Sequence, residues 1–207
     1  MAFGGWQEAA LEFYAGLEDD NSKSYWTSNK AVYQEEVLRP MEELLEQLAP
    51  ELGEPKIFRP YRDIRFSADK TPYKTHIGAT IGGTCYVQFS ADGLGAGSGM
   101  WHMEPDQLNR YRVAVAADST GAQLEAIIAD IEKAGFEVHG HDSLKSVPRG
   151  YPPDHPRIGL LRHKGLTTWR HWEPQPWLGT PAAAGKLLSF FRTSASFCSW
   201  LASNAGD

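Results

Sequence analysis

HIGATIGGTCYVQFSADGLGAGSGM, residues 76–100, is the stretch whose reading decides the fold. The runs from His76 to Ile81 and from Thr84 to Ser90 are short, β-compatible and separated by Gly82-Gly83, a connection that predicts a hairpin and an antiparallel pair. Beyond Asp92 glycine stands at every second position: Gly93, Gly95, Gly97 and Gly99. Side chains alternate between the faces of an extended chain, so all four share one face. They leave a strip that another backbone, an aromatic ring or a ligand can approach closely. Packing against bulky side chains is the simpler reading, a ligand platform the other. Neither GxGxxG nor GxxxxGK[ST] is present, so the strip resembles no phosphate-binding loop.

Helices are expected on both sides of these strands. Trp6, Ala9, Ala10, Phe13 and Leu17 recur at helical steps. A second helix, capped by Ser28 or Asn29 and kinked or split at Pro40, carries Val32, Val37, Met41, Leu44, Leu45 and Leu48 and closes at Pro50, Gly53 and Pro55. Ile57 to Phe66 reads as a strand with Arg59, Tyr61, Asp63 and Arg65 on one face and Phe58, Arg62, Ile64 and Phe66 on the other. Downstream, helices are expected after Pro105, from Ser119 or Thr120 to just before Gly135, around Ile158 to Arg162, and from Thr180-Pro181 through Leu187, Phe191, Cys198 and Leu201, with a strand from Leu166 to Trp172. The fold class is α+β: a mainly antiparallel central sheet flanked by N-terminal, middle and C-terminal helices, in a single domain over 1–207.

At 207 residues, 42% hydrophobic and 22% charged, the chain is ordinary globular material that buries roughly 70% of its unfolded surface without a staple. No apolar run approaches the roughly 20 residues that span a bilayer, and residues 1–6 carry no leader signal, so no membrane contact is expected. Two cysteines, Cys85 and Cys198, without close spacing argue against a disulfide scaffold or a Cys-rich zinc site and fit a reducing cytoplasm. The net charge of -6 is unevenly held. Residues 56–76 hold six basic residues against two acids, and residues 145–170 hold six against one. Removing those surpluses of +4 and +5 leaves -15 on the other 160 residues. Such segments focus potential on anionic ligands, while the acidic whole disfavours polyanionic nucleic acid.

The string KIFRPYRDIRFSADKTPYKTHIG, residues 56–78, resembles the core of a widespread bacterial family known as domain of unknown function 2461. The stretch from Phe13 to Lys30 and VPRGYPPDHP at 147–156 are similar to two further pieces of that family, so the resemblance spans about 13–201. It implies a single-domain cytosolic protein and supplies no catalytic residues. The Trp169 to Trp177 stretch has no counterpart in the pattern.

Three chemistries remain open. Arginine's planar fork grips phosphate or carboxylate in a bidentate manner, so Arg59, Arg62, Arg65, Arg149 and Arg157, with Lys70, Lys74 and Tyr151, form a candidate pocket for a small anionic ligand. In a regular strand Arg62 points away from Arg59 and Arg65, so one set is expected to pair with helix carboxylates such as Glu35 or Glu43. A phosphoester hydrolase would use Asp63, His76 or His155 as acid or base beside those arginines, although Asp63 also reads as an arginine partner and His155 as a turn residue. An interaction module would place the basic residues on an open face with Trp169, Trp172 and Trp177 near Arg170 and His171, for a protein or, less favourably, a nucleic acid. No metal or cofactor is expected: His102 with Glu104, and His139 with His141, share strand faces without any closed-site pattern. The ligand and the oligomeric state are not encoded in any motif.

Overall fold

The computed structural model describes residues 3–65 and 68–206. In chain order the elements are α1 (Glu8–Asp19), α2 (Lys23–Val32), a π-helical turn (Tyr33–Leu38), α3 (Arg39–Leu52), β1 (Pro55–Ile57), β2 (His76–Ile81), β3 (Cys85–Ser90), β4 (Gly93–Met100), α4 (Pro105–Ala116), α5 (Asp118–Lys133), β5 (Glu137–His141), α6 (Ile158–Leu161), β6 (Gly165–Trp172), a 3-10 turn (Pro176–Gly179), α7 (Ala182–Thr193) and α8 (Ala195–Ala205). The strand order is β1-β2-β3-β4-β6-β5, with antiparallel registers for β1 with β2, β2 with β3 and β5 with β6. This is the expected α+β class. No described helix is long and apolar enough to cross a membrane. The chain packs as two compact units: one holds the residues up to Ala96 with His171–Ser189, the other Gly97–Arg170 with the residues from Phe190 onward.

In the first unit the expected hairpin is present, with Ile81 opposite Cys85 and both Gly82 and Gly83 at positive φ. Glycine is needed twice over at Gly82, because a Cβ there would lie 2.0 Å from the Leu52 carbonyl oxygen. Core-facing residues of β2 and β3, among them Ile77, Ala79, Ile81, Val87 and Phe89, are buried with Trp6, Phe13, Tyr14, Leu17, Val37, Met41, Leu44 and Leu48 from the helical segment. Trp6 stacks on Phe89 with centroids 4.6 Å apart.

The helix expected from Ser28 or Asn29 begins earlier. Ser22 caps it by accepting from the Tyr25 amide at 3.1 Å, and Asn29 lies inside α2 with its side chain donating to the Tyr25 carbonyl at 2.9 Å. Pro40 does not produce a break. Ahead of it the Arg39 amide donates to the Gln34 carbonyl, five residues back, so the π turn absorbs the proline and Pro40 sits in the first turn of α3.

Of the strand expected over Ile57 to Phe66 only Ile57 lies in a strand, as the last residue of β1 (Pro55–Ile57), with Tyr61 in an isolated bridge, and Phe66 lies outside the described residues. Pro60 cannot extend the ladder as a donor, and the chain turns into a second, irregular hairpin with the 72–74 segment.

The second unit builds its core from Tyr111, Val115, Leu124, Ile131, Leu161, Phe197, Trp200 and Leu201, supplied by α4, α5, α6 and α8. β5, absent from the expected strands, pairs with β6 over Glu137–His141. The expected closing helix is two helices, α7 and α8, separated at Ser194, whose buried hydroxyl bonds the Thr168 hydroxyl at 3.1 Å. Thr168 in turn meets Ser98 at 2.8 Å, so these buried hydroxyls satisfy one another. The glycine strip takes the packing role within each unit. A Cβ at Gly93 would lie 2.2 Å from the Trp172 carbonyl oxygen, and one at Gly97 2.9 Å from the Trp169 ring.

Candidate functional site

The described residues of the first basic segment, 58–65 and 68–76, form the two arms of a hairpin in the first unit. Its arms are joined by Arg62 N–H to Pro72 O at 2.9 Å and Lys74 N–H to Pro60 O at 2.8 Å, with Tyr61 opposite Tyr73. Two anchors hold it. The Asn21 side chain accepts from the Tyr73 amide at 3.0 Å and donates to the Tyr73 carbonyl at 3.1 Å. Trp26 stacks on the Tyr73 ring with centroids 4.4 Å apart and planes 7° apart. Tyr61 packs at 5.5 Å from Tyr73 yet remains 49% exposed.

The tip is closed by its own side chains. Asp69 accepts from the Thr71 amide at 2.9 Å and the Thr71 hydroxyl at 2.8 Å, while Arg62 bridges to Asp69 and to Thr71. Those amide and hydroxyl donors, followed by the Arg62 guanidinium, hold the Asp69 carboxyl at about 2. Arg65 grips Asp63 with Nε at 2.9 Å and Nη2 at 2.7 Å, which lowers the Asp63 carboxyl below its ordinary range. Lys70 donates to the Ile64 carbonyl at 2.9 Å. Arg59 is exposed, and Lys74 rests over the Phe58 ring at 5.3 Å. The hairpin therefore brings five of the expected ligand-binding residues together, Arg59, Arg62, Arg65, Lys70 and Lys74. The carboxylates that pair with Arg62 and Arg65 come from the tip itself, whereas helix residue Glu35 pairs with Arg39.

His76 begins β2, opposite Ser90, and its imidazole is held below the usual value, mainly by burial and then by Lys74.

The other expected residues belong to the second unit. Arg149 is exposed and forms no hydrogen bond or ion pair among the described residues, and Tyr151 packs against the unit's apolar core. Arg157 is 8% exposed: its Nε donates to Val115 O at 2.8 Å and its Nη2 to Ala117 O at 3.2 Å, with Asp118 and Glu125 at 3.4 and 3.5 Å. Gly121 leaves the room, since a Cβ there would sit 2.3 Å from Arg157 Nε. His155 Nδ1 accepts from the Arg157 amide at 3.0 Å and so closes a turn. Trp172 and Trp177 form a T-shaped pair in the first unit, with the Lys186 ammonium 4.8 Å from the Trp177 ring.

His102 and Glu104 do not share a strand face; they lie in the bend that leads into α4, and the Gln107 side chain accepts from the Glu104 amide at 3.0 Å. His139 pairs with Glu137, whereas His141 meets the Thr167 hydroxyl at 2.7 Å. Among the described residues no group of three or more His, Cys, Asp or Glu side chains is arranged to hold a metal ion.

Two clefts escaped the reading of the sequence. One, of about 590 Å³ in the first unit, is lined by Asp92, Glu173 and His171 and is acidic. The other, of about 450 Å³ in the second unit, is lined by Arg112, Lys164 and His102 beside apolar side chains. Lys164 belongs to the second basic segment, but Arg112 sits on α4, outside both, so no local charge run signals the pair.

The fold and these sites define an α+β protein with a basic hairpin. The chain belongs to the family of conserved hypothetical proteins DUF2461, whose profile matches residues 9–200. No curated protein gives a significant match. Among solved structures, a conserved hypothetical protein from Pyrococcus furiosus is similar at 12% identity and a TM-score of 0.38, covering 78% of this chain and 92% of that one.

Proposed function

We propose that the 58–76 hairpin binds a small anion bearing phosphate or carboxylate groups. One observation carries this reading: both acids of the segment are engaged, by Arg62 and Arg65, whereas Lys56, Arg59, Lys70 and Lys74 form no ion pair among the described residues. Three positive charges, Arg59, Lys70 and Lys74, thus stand outside any ion pair on an anchored hairpin of an acidic chain, with Lys56 next to it on β1. The exposed Tyr61 ring offers an adjacent face for a planar group. Binding is favoured over phosphoester hydrolysis because Asp63 and His155, two of the three residues such chemistry would use, are held in local pairs.

A thermal-shift screen against phosphate, pyrophosphate, nucleotides, sugar phosphates and dicarboxylates tests the reading. A ligand at about 100 times its Kd adds roughly 2.7 kcal/mol and raises Tm by about 5–10 °C. Arg59→Ala and Lys74→Ala, which break no ion pair, abolish that shift without lowering the Tm of the free protein. A shift that survives in both variants, or none with any of these anions, refutes the hairpin as the site.

A further inference from the structure

We propose that the cleft in the second unit is a separate site for an organic monocarboxylate with a compact apolar body. Its lining joins two chemistries. Arg112 and Lys164 supply positive charge, Asn109 an amide and His102 an imidazole, while Met103, 2% exposed, and Leu108 supply apolar surface. No carboxylate lines it, and neither Arg112 nor Lys164 forms an ion pair among the described residues. Arg112 spends its Nε on the Leu161 carbonyl at 3.0 Å, while its buried Nη2 meets no acceptor among the described residues. A cationic fork so placed retains charge to offer an anion, and a buried donor without an acceptor is destabilising until one is supplied.

The walls are pinned by backbone rather than by mobile side chains. Met103 N–H donates to Lys164 O at 2.9 Å and Lys164 N–H to His141 O at 2.9 Å, which ties the bend before α4 to the start of β6. The volume lies in the range of small-molecule pockets, where apolar lining with a few placed polar groups is the common pattern. Apolar surface selects against phosphate, whose heavily hydrated oxygens would face Met103 and Leu108, and for a carboxylate that carries its own apolar surface. The site shares no residue with the hairpin, so either assignment can fail alone.

Methyl NMR on the full chain gives the test. The protein has four methionines, so the Met103 methyl is assignable with Met103→Leu, and it is titrated with benzoate, with neutral benzamide and with inorganic phosphate. Benzoate is expected to shift the Met103 signal saturably, with benzamide and phosphate at least tenfold weaker. Lys164→Met and Arg112→Lys each weaken benzoate at least tenfold, and Arg59→Ala leaves it unchanged. The Met103 spectrum of Lys164→Met reports whether that variant keeps its fold. Equal binding of benzamide overturns the charge requirement, equal binding of phosphate overturns the apolar one, and no saturable shift with benzoate overturns the site.

Discussion

Two segments of nearly equal basic surplus, residues 56–76 and 145–170, meet different fates. In the first, Arg62 and Arg65 pair with carboxylates seven and two residues away, at the surface, and shape a loop tip. In the second, Arg157 reaches about 40 residues back to the carbonyls of Val115 and Ala117, is buried, and fastens the junction of α4 and α5 to the segment before α6. Composition treats these arginines alike. Burial separates them, because a guanidinium removed from water needs acceptors on every side, whereas an exposed one keeps water as an alternative partner.

The sharpest way to break that contrast is Arg157→Met. Loss of its buried donors strips the Val115 carbonyl of its partner, while the Ala117 carbonyl keeps the Gly121 amide at 2.9 Å, and is expected to cost about 3 kcal/mol, lowering Tm by about 6–12 °C. Arg65→Ala, whose ion pair is exposed, should leave the midpoint of chemical denaturation unmoved. Equal midpoints for the two variants would erase the distinction.

A middle-sized effect is expected from Asn21→Ala, which removes both bonds to the Tyr73 backbone. A cost of about 1–2 kcal/mol should appear as roughly tenfold faster amide exchange at Tyr73, with amides of the second-unit core unchanged. Acceleration spread evenly over the chain would show that the hairpin is not a separable element.

The smallest effect concerns acid. Asp69 has a folded value of about 2, below the ordinary carboxylate value near 4, so its contribution is present above about pH 4 and is lost as pH falls toward 2. NMR titration should place its midpoint near 2. Asp69→Asn should flatten that part of the stability profile and free the Arg62 end of the tip.

Reading the chain recovered the elements that declare themselves locally. The Gly82-Gly83 turn, the β4 glycine period and the helical stripe from Ala9 to Leu17 need only neighbours a few residues away, and each appears where expected, although α1 starts at Glu8 and leaves Trp6 ahead of it. The strand over Ile57 to Phe66 failed because Asp63 and Asp69 bond to nearby main-chain amides and so offer the backbone an alternative to the ladder. β5 escaped notice because glycine interrupts it. Gly140 is explained only by the fold, since a Cβ there would lie 2.0 Å from the His163 ring, which reaches the strand from a distant loop. The candidate anion residues divide in the same way: the hairpin set was visible as one charge run, whereas Arg112 and Lys164, 52 positions apart, meet only at the cleft.

By itself, then, the sequence determined the α+β class, the central hairpin, most helix positions, membership of a recognisable family and the location of its positive charge. These depend on periodicity, turn chemistry and motif, all carried by short stretches of chain. Tertiary structure alone decided which arginines are spent on the fold and which stay exposed outside any ion pair among the described residues. That outcome depends on burial and on acceptors supplied by distant segments, quantities that no local pattern of residues contains.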